Sequence, residues 1–319
     1  MRWTWPFNGR ASNGGHIDGN GSGDSGPRPD FVCIGVHKGG TTWLYQQLDS
    51  HPDFWMPPLK ELHYLDQLSR VQRSPSPRCR DERDRRFLEN INALSAKPYL
   101  DLEQYAQLFE PKGPLLSGDI SPNYSTLSDQ IIRHVIRYFP KLRVIFMARD
   151  PVERVWSHLC MEVHYHQIEA FDVTDVDEVN RNLLRRGLLL RSYPSTIVAR
   201  WKRYVHPDRF RVYFFDDLQR NPTELRRSII HFLGADPDKP EKRSPADYNS
   251  WASMEKLPLT GKVRSHLAKF FKKELKTCAR RLGGAARDWP ARYGFSLLLF
   301  FWDLLDDSID LFFWLDWIC

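Results

Sequence analysis

The chain has 319 residues, 41% apolar and 27% charged, with a formal net charge of +6. That length suits one large α/β domain with a sizeable core, and the composition is that of a globular protein. The modest basic excess fits an anionic small ligand and excludes a nucleic-acid-binding tail. Cys33, Cys79, Cys160, Cys278 and Cys319 are scattered, odd in number and without CxxC spacing, so reduced thiols are expected and no disulfide framework.

Met1 to Phe7 holds no apolar run of signal-peptide length, and no anchor is visible, so a soluble cytoplasmic protein is expected. Residues 8–29 are dominated by Gly, Ser, Asn and Asp. Such a segment buries too little to offset its ordering entropy, which predicts a disordered leader over 1–29.

Phe31 to Val36 is a short apolar run between Pro29 and a glycine pair, the pattern of a strand buried on both faces in a parallel sheet. Gly39 and Gly40 allow a tight turn. Thr41 and Thr42 start a helix that Trp43 to Leu48 continue and His51-Pro52 ends. Strand, Gly-rich turn and helix N-terminus together present free N–H groups and the positive end of a helix dipole to an anion. Lys38 adds a mobile cation. It precedes the glycines instead of following them, and no Ser or Thr follows a terminal lysine to hold magnesium. The loop therefore reads as a cradle for a phosphate-like anion with no metal required.

His37-Lys38-Gly39-Gly40-Thr41-Thr42-Trp43 resembles the 5′-phosphosulfate loop of PAPS-dependent sulfotransferases, closest to the branch that modifies carbohydrates. The resemblance implies a three-layer α/β fold, with a central parallel sheet flanked by helices and a P-loop-like first unit. It implies 3′-phosphoadenylyl sulfate (PAPS) as co-substrate, held by Lys38, Gly39, Gly40, Thr41, Thr42 and Trp43.

Phe54 to Pro58 reads as a short strand or extended piece, followed by Lys60-Glu61-Leu62-His63-Tyr64-Leu65-Asp66. Glycan sulfotransferases carry a similar motif here, and the resemblance makes Glu61 the residue that deprotonates the acceptor. A sugar hydroxyl is a poor nucleophile, and a carboxylate beside bound sulfate can take its proton. Lys60 and Lys38 would keep Glu61 ionised. His63 and Asp66 orient either the base or the acceptor. Lys38, Glu61 and His63 are thus the catalytic candidates.

The mixed charges from Arg78 to Arg86 predict a solvated helix face or loop, and Asp101 to Phe109 has helical spacing. Leu115 to Tyr124 reads as a strand ending at a Pro turn. Relatives often have a longer acid where Asp119 stands, and some have a lysine where Ile120 stands. The cytosolic small-molecule branch places a catalytic His near this strand end; none lies here, which again favours Glu61.

Ser128 to Phe139 is amphipathic, and Val144 to Met147 is another buried strand. Asp150 and Pro151 then cap and open a helix, leaving Arg149 at the carboxyl end of a strand, where open α/β sheets bind ligands. Arg149-Asp150-Pro151 through Arg154 and Ser157 resembles the family's 3′-phosphate site. Arg149 would clamp the phosphate and the Ser157 hydroxyl would donate to it. His158, His164 and His166 cluster without an i,i+4 histidine pair or HExxH, so no metal site is assigned. Residues 165–186 often touch the acceptor in relatives.

Gly187 to Trp201 resembles a helix of the family in which Tyr193 is either an adenine contact or core. Phe210 to Phe215 predicts a third buried strand, and Asn221-Pro222 opens a helix from Thr223 to Leu233. Pro258 to Arg264 stands where relatives cover the 3′-phosphate, and one helix is expected from Val263 to Leu282. The resemblance ends near residue 294. Phe295 to Cys319 is apolar with Asp303, Asp306, Asp307 and Asp310 on one helical face, each costing about 2.5–3.5 kcal/mol at a bilayer centre. A spanning helix is therefore not expected; the tail is read as an amphipathic helix docking on the body or on a partner chain.

The expected domain covers 30–294, between the leader and the tail helix at 295–319. The activity implied is transfer of the sulfuryl group of PAPS to a hydroxyl or amine, on a carbohydrate or glycolipid acceptor. Two other classes compete with it. A nucleotide kinase or NTPase needs a lysine after the glycines and a Walker-type acid on a strand, and neither is found. A non-catalytic nucleotide-binding interaction module would use the tail as its working surface.

Overall fold

The structure, a computed structural model, describes residues 26–66, 78–97, 99–183, 188–239, 245–247 and 257–296. Residues 1–25 of the leader expected over 1–29, and 297–319 of the tail helix expected over 295–319, lie outside the described residues.

Four parallel strands, β1 (Phe31–Cys33), β2 (Gly118–Ile120), β3 (Arg143–Ala148) and β4 (Phe210–Phe214), form one sheet in the order β2-β1-β3-β4. The helices in chain order are α1 (Thr41–Asp49), α2 (Glu82–Ser95), α3 (Leu102–Gln107), α4 (Asp129–Tyr138), α5 (Pro151–His164), α6 (Val176–Leu183), α7 (Pro194–Lys202), α8 (Phe215–Arg220), α9 (Pro222–Leu233), α10 (Gly261–Phe270) and α11 (Lys272–Arg281). The expected extended piece at Phe54 pairs with Leu116 as an isolated parallel bridge.

The period of two along each strand sends side chains to alternate faces, and both faces are covered. Val32, Val144 and Phe146 meet Phe87, Ile132, Val155 and Trp201 from α2, α4, α5 and α7. Phe31, Cys33, Ile145 and Met147 meet Trp43, Leu48, Ile229 and Leu233 from α1 and α9. This is the three-layer arrangement expected from the sequence. From β1 the chain leaves for β2 on one side, and from β3 it leaves for β4 on the other. The carboxyl ends of β1 and β3 therefore flank the topological switch point, the usual ligand crevice of such sheets.

Three elements differ from the sequence reading. The single helix expected from Val263 to Leu282 is broken at Phe271, whose buried ring faces Tyr193 edge-on at 5.9 Å. The helix expected from Gly187 to Trp201 begins only at Pro194, because proline suits a first turn and not a helix interior. The charged stretch at 78–86 is not wholly solvated: Asp84 is fully buried and accepts from the Arg80 backbone and guanidinium, which also donates to Met56 O and Asp49.

Candidate functional site

The ladder between β1 and β3 continues past the assigned strand, with Ile34 N–H on Ile145 O, Val36 N–H on Met147 O and Met147 N–H on Gly35 O. The chain then turns, and Gly39 N–H closes back on Val36 O at 2.9 Å. A Cβ on Gly39 would stand 2.5 Å from Met147 O, so only glycine fits against the strand. Gly40 takes φ 97° as the N-cap of α1, whose first bond is Leu44 N–H to Gly40 O. The amides of Thr41, Thr42 and Trp43 consequently point out of the helix end. Trp43 itself is buried, and its indole N–H donates to Ala246 O at 2.7 Å. Only its backbone is left for a ligand.

Arg149, at the end of β3, donates from Nη1 to Lys38 O at 2.8 Å and lies 4.2 Å over the Phe215 ring. Its Nε is buried without a partner. Phe215, placed in a strand by the sequence reading, instead opens α8 and floors this guanidinium. Asp150 caps α5 by accepting from Val152 N–H, as expected; burial pushes its carboxyl up to about 6 against the bond it accepts from Tyr293. Ser157 lies half-buried on the same helix. Tyr193 is half-buried and meets the Phe271 ring edge-on, with the planes 63° apart. Thr260 caps α10, and Arg264 reaches Glu153 at 2.6 Å, tying the segment after Pro258 to α5.

Glu61 comes to the same place from the other side. Its carboxylate pairs with Lys60, lies 3.4 Å from His63 Nε2 and 3.9 Å from His37 Nε2. His63 Nδ1 lies 3.0 Å from Asp66. These side chains are partly open to solvent: His37 and Lys60 are 18% exposed, Glu61 25% and His63 16%. Burial would push the Glu61 carboxyl up, but the Lys60 charge and the His63 hydrogen bond outweigh it and hold it well below the usual carboxylate range. Burial opposes the His63 charge, yet Asp66 and Glu61 raise it to about 9, so it is an imidazolium at neutral pH. Lys38 (φ 68°), Glu61 (φ 66°) and His63 (φ 52°) are three of the four non-glycine residues with positive φ among the described residues. Backbone held in a sparsely populated region clusters at functional sites.

The segment is positioned by a residue the sequence reading treated only as a substitution. Asp119, buried in the middle of β2, accepts from Ser121 Oγ at 2.6 Å, Tyr124 OH at 2.6 Å and Tyr105 OH at 2.9 Å. Ser121 Oγ and Tyr124 OH in turn accept from His63 N–H and Leu65 N–H. Among the described residues no group of three or more His, Cys, Asp or Glu could hold a metal ion, and no helix is long and apolar enough to cross a membrane.

The carboxyl ends of β1 and β3 thus bring together an amide-rich loop, two cations and a carboxylate. The family model for sulfotransferases matches residues 29–239, more than half of the chain. The chain belongs to the sulfotransferase family. Among solved structures, a sulfotransferase from Alicyclobacillus acidocaldarius is 22% identical with a TM-score of 0.55, the match covering 85% of this chain and 97% of that one. The sulfotransferase domain of the Synechococcus PCC 7002 olefin synthase is 19% identical with a TM-score of 0.50, covering 77% and 95%. At such identities the likeness is one of fold, and it agrees with the parallel sheet described above.

Proposed function

We propose that this sulfotransferase uses PAPS and moves its sulfuryl group to an acceptor hydroxyl or amine, with a carbohydrate or glycolipid as the acceptor class. The observation that carries the reading is the contact of one loop, His37–Gly40, with Arg149 on one side and Glu61 on the other. A molecule lying in that crevice meets both at once.

The residues present fit an adenosine bisphosphate. The buried, unpartnered Nε of Arg149 is a donor in want of an anion, and the outward amides of α1 supply more. PAPS supplies an activated sulfuryl group when bound. In this reading Arg149 and Ser157 hold the 3′-phosphate and Tyr193 borders the nucleotide. Lys38 with the amides of Gly40, Thr41 and Thr42 stabilises the negative charge that develops on the oxygen leaving sulfur. Glu61 takes the acceptor proton, while His63, held by Asp66, fixes the carboxylate's orientation. No metal enters this scheme. The domain is taken as 30–294, working as a soluble cytoplasmic enzyme; the 295–319 tail docks on the body or on a second chain.

Transfer of labelled sulfate from PAPS across a panel of glycans, glycolipids and phenols tests the reaction, and calorimetry with the desulfated nucleotide PAP tests the pocket. Absence of both transfer and PAP binding would sink the reading. Binding without transfer to any acceptor would leave a nucleotide-binding module in its place.

A further inference from the structure

The inference rests on the reading above, in which Glu61 takes the acceptor proton. The His37 ring stacks on His158 of α5, with centroids 5.7 Å apart and planes 18° from parallel. His158 is itself pinned: Arg154 Nη1 donates to its Nδ1 at 3.1 Å, and its Nε2 faces Glu162 at 3.4 Å. Arg154 is buried and donates also to Leu188 O at 2.8 Å and Ser192 Oγ at 2.6 Å. His37 is therefore mounted on a fixed platform.

From that platform Nε2 stands 3.9 Å from Glu61 Oε2. The gap is too long for a hydrogen bond, yet bonds of about 2.8 Å drawn from both atoms would meet on one oxygen at roughly a right angle. A lone pair on Nε2 would repel the carboxylate, so the ring proton belongs on Nε2. The buried Nδ1, which has no hydrogen-bond partner, is then the bare nitrogen. Burial pushes this imidazole down to about 3, so it is neutral and donates directionally without adding a second ion pair to the base.

We propose that His37 is a further catalytic residue: His37 Nε2–H and Glu61 Oε2 together cradle the acceptor oxygen, and the cradle selects a hydroxyl over an amine. A hydroxyl oxygen bonded to its carbon points its proton at Glu61 and offers one lone pair to His37 N–H. Its second lone pair faces sulfur. In the transfer step that pair forms the new O–S bond as the hydroxyl proton passes to the Glu61 carboxylate. The bond from sulfur to the 5′-phosphate oxygen breaks, and its electrons stay on PAP. His37 neither gains nor loses a proton; it aims the attacking pair. A neutral amine has a single lone pair, which the attack consumes, so it has none left to accept from His37.

The test compares wild type with His37→Phe, which keeps a stacking ring without nitrogens, and with His37→Gln and His37→Asn. The reagents are labelled PAPS, the acceptor panel including amino sugars, product analysis and PAP calorimetry. Wild type is expected to make O-sulfates. His37→Phe is expected to lose roughly 10- to 100-fold in kcat while PAP affinity stays within about twofold. Gln, whose amide N–H reaches about as far as Nε2, should recover more activity than Asn. Wild type that transfers nothing from PAPS overturns both the functional reading and the cradle. Wild-type transfer accompanied by undiminished His37→Phe activity, by equal losses of kcat and PAP affinity, or by N-sulfate as the main product overturns the cradle and leaves Glu61 as base.

Discussion

The loop at Val36–Gly40 and the segment at Lys60–Asp66 meet where His37 approaches Glu61, but they are held by different forces. The loop hangs on backbone: Val36 N–H on Met147 O, Gly39 N–H on Val36 O, and Arg149 on the Lys38 carbonyl. The segment hangs on side chains, through Lys60, Asp66, Ser121 and Tyr124, with Asp119 beneath them. A loop held by backbone keeps its geometry as side chains vary, provided no Cβ intrudes. A site held by side chains responds to single substitutions and to protonation. If the proposed roles hold, grip on the nucleotide and power over the acceptor proton are separable in this protein.

Glu61→Gln offers the sharpest break, since it keeps the shape and removes the proposed base. We expect kcat to fall roughly 100- to 10,000-fold with PAP affinity unchanged by calorimetry. Parallel loss of both would merge the two regions into one. On the opposite side, Arg149→Ala is expected to weaken PAP binding roughly 10- to 100-fold, the worth of a charge-assisted bond in a buried setting. A variant that binds as tightly as wild type would refute its assigned role.

Protonation supplies the third comparison. His63 is raised to about 9 by partners that hold its charge, so its contribution to stability is complete below the unfolded value near 6.5 and is lost as pH rises through 9. Above that point kcat/KM is expected to decline about tenfold per pH unit while PAP affinity changes less. A profile flat to pH 10 would remove His63 from the base's support. The smallest effect belongs to Tyr124→Phe, which deletes the hydroxyl shared by Asp119 and Leu65. Thermal unfolding should register a loss of about 1–3 kcal/mol, with kcat down a few-fold and PAP binding intact. An unchanged melting temperature would mean that Asp119 does not anchor the segment.

Legibility in the sequence follows the same divide. Arg149 could be placed at a strand end because Val144 to Met147 is apolar and Asp150-Pro151 announces a helix cap; both are local signals, and both agree with the structure. The turn at Gly39 and Gly40 was legible for the same reason. Asp119 was not, because its three hydroxyl donors come from positions 105, 121 and 124, and nothing in a linear motif marks their convergence. The stack of His37 on His158 was equally hidden: one residue precedes β3 by a long stretch of chain and the other follows it. A hint existed in Arg154, since a basic residue one turn inside a helix with an apolar face on either side needs acceptors from elsewhere.

By itself the sequence determined the strands, the glycine turn, the helix caps and the order of the two motifs proposed to hold the nucleotide, because these depend on contacts within a few residues and on period-two burial. Only the tertiary structure decided which motifs come together, the charge state of His63, and the 3.9 Å gap between His37 and Glu61. Those quantities depend on desolvation and on distances between segments far apart in the chain, which appear only once the sheet has brought the ends of its strands together.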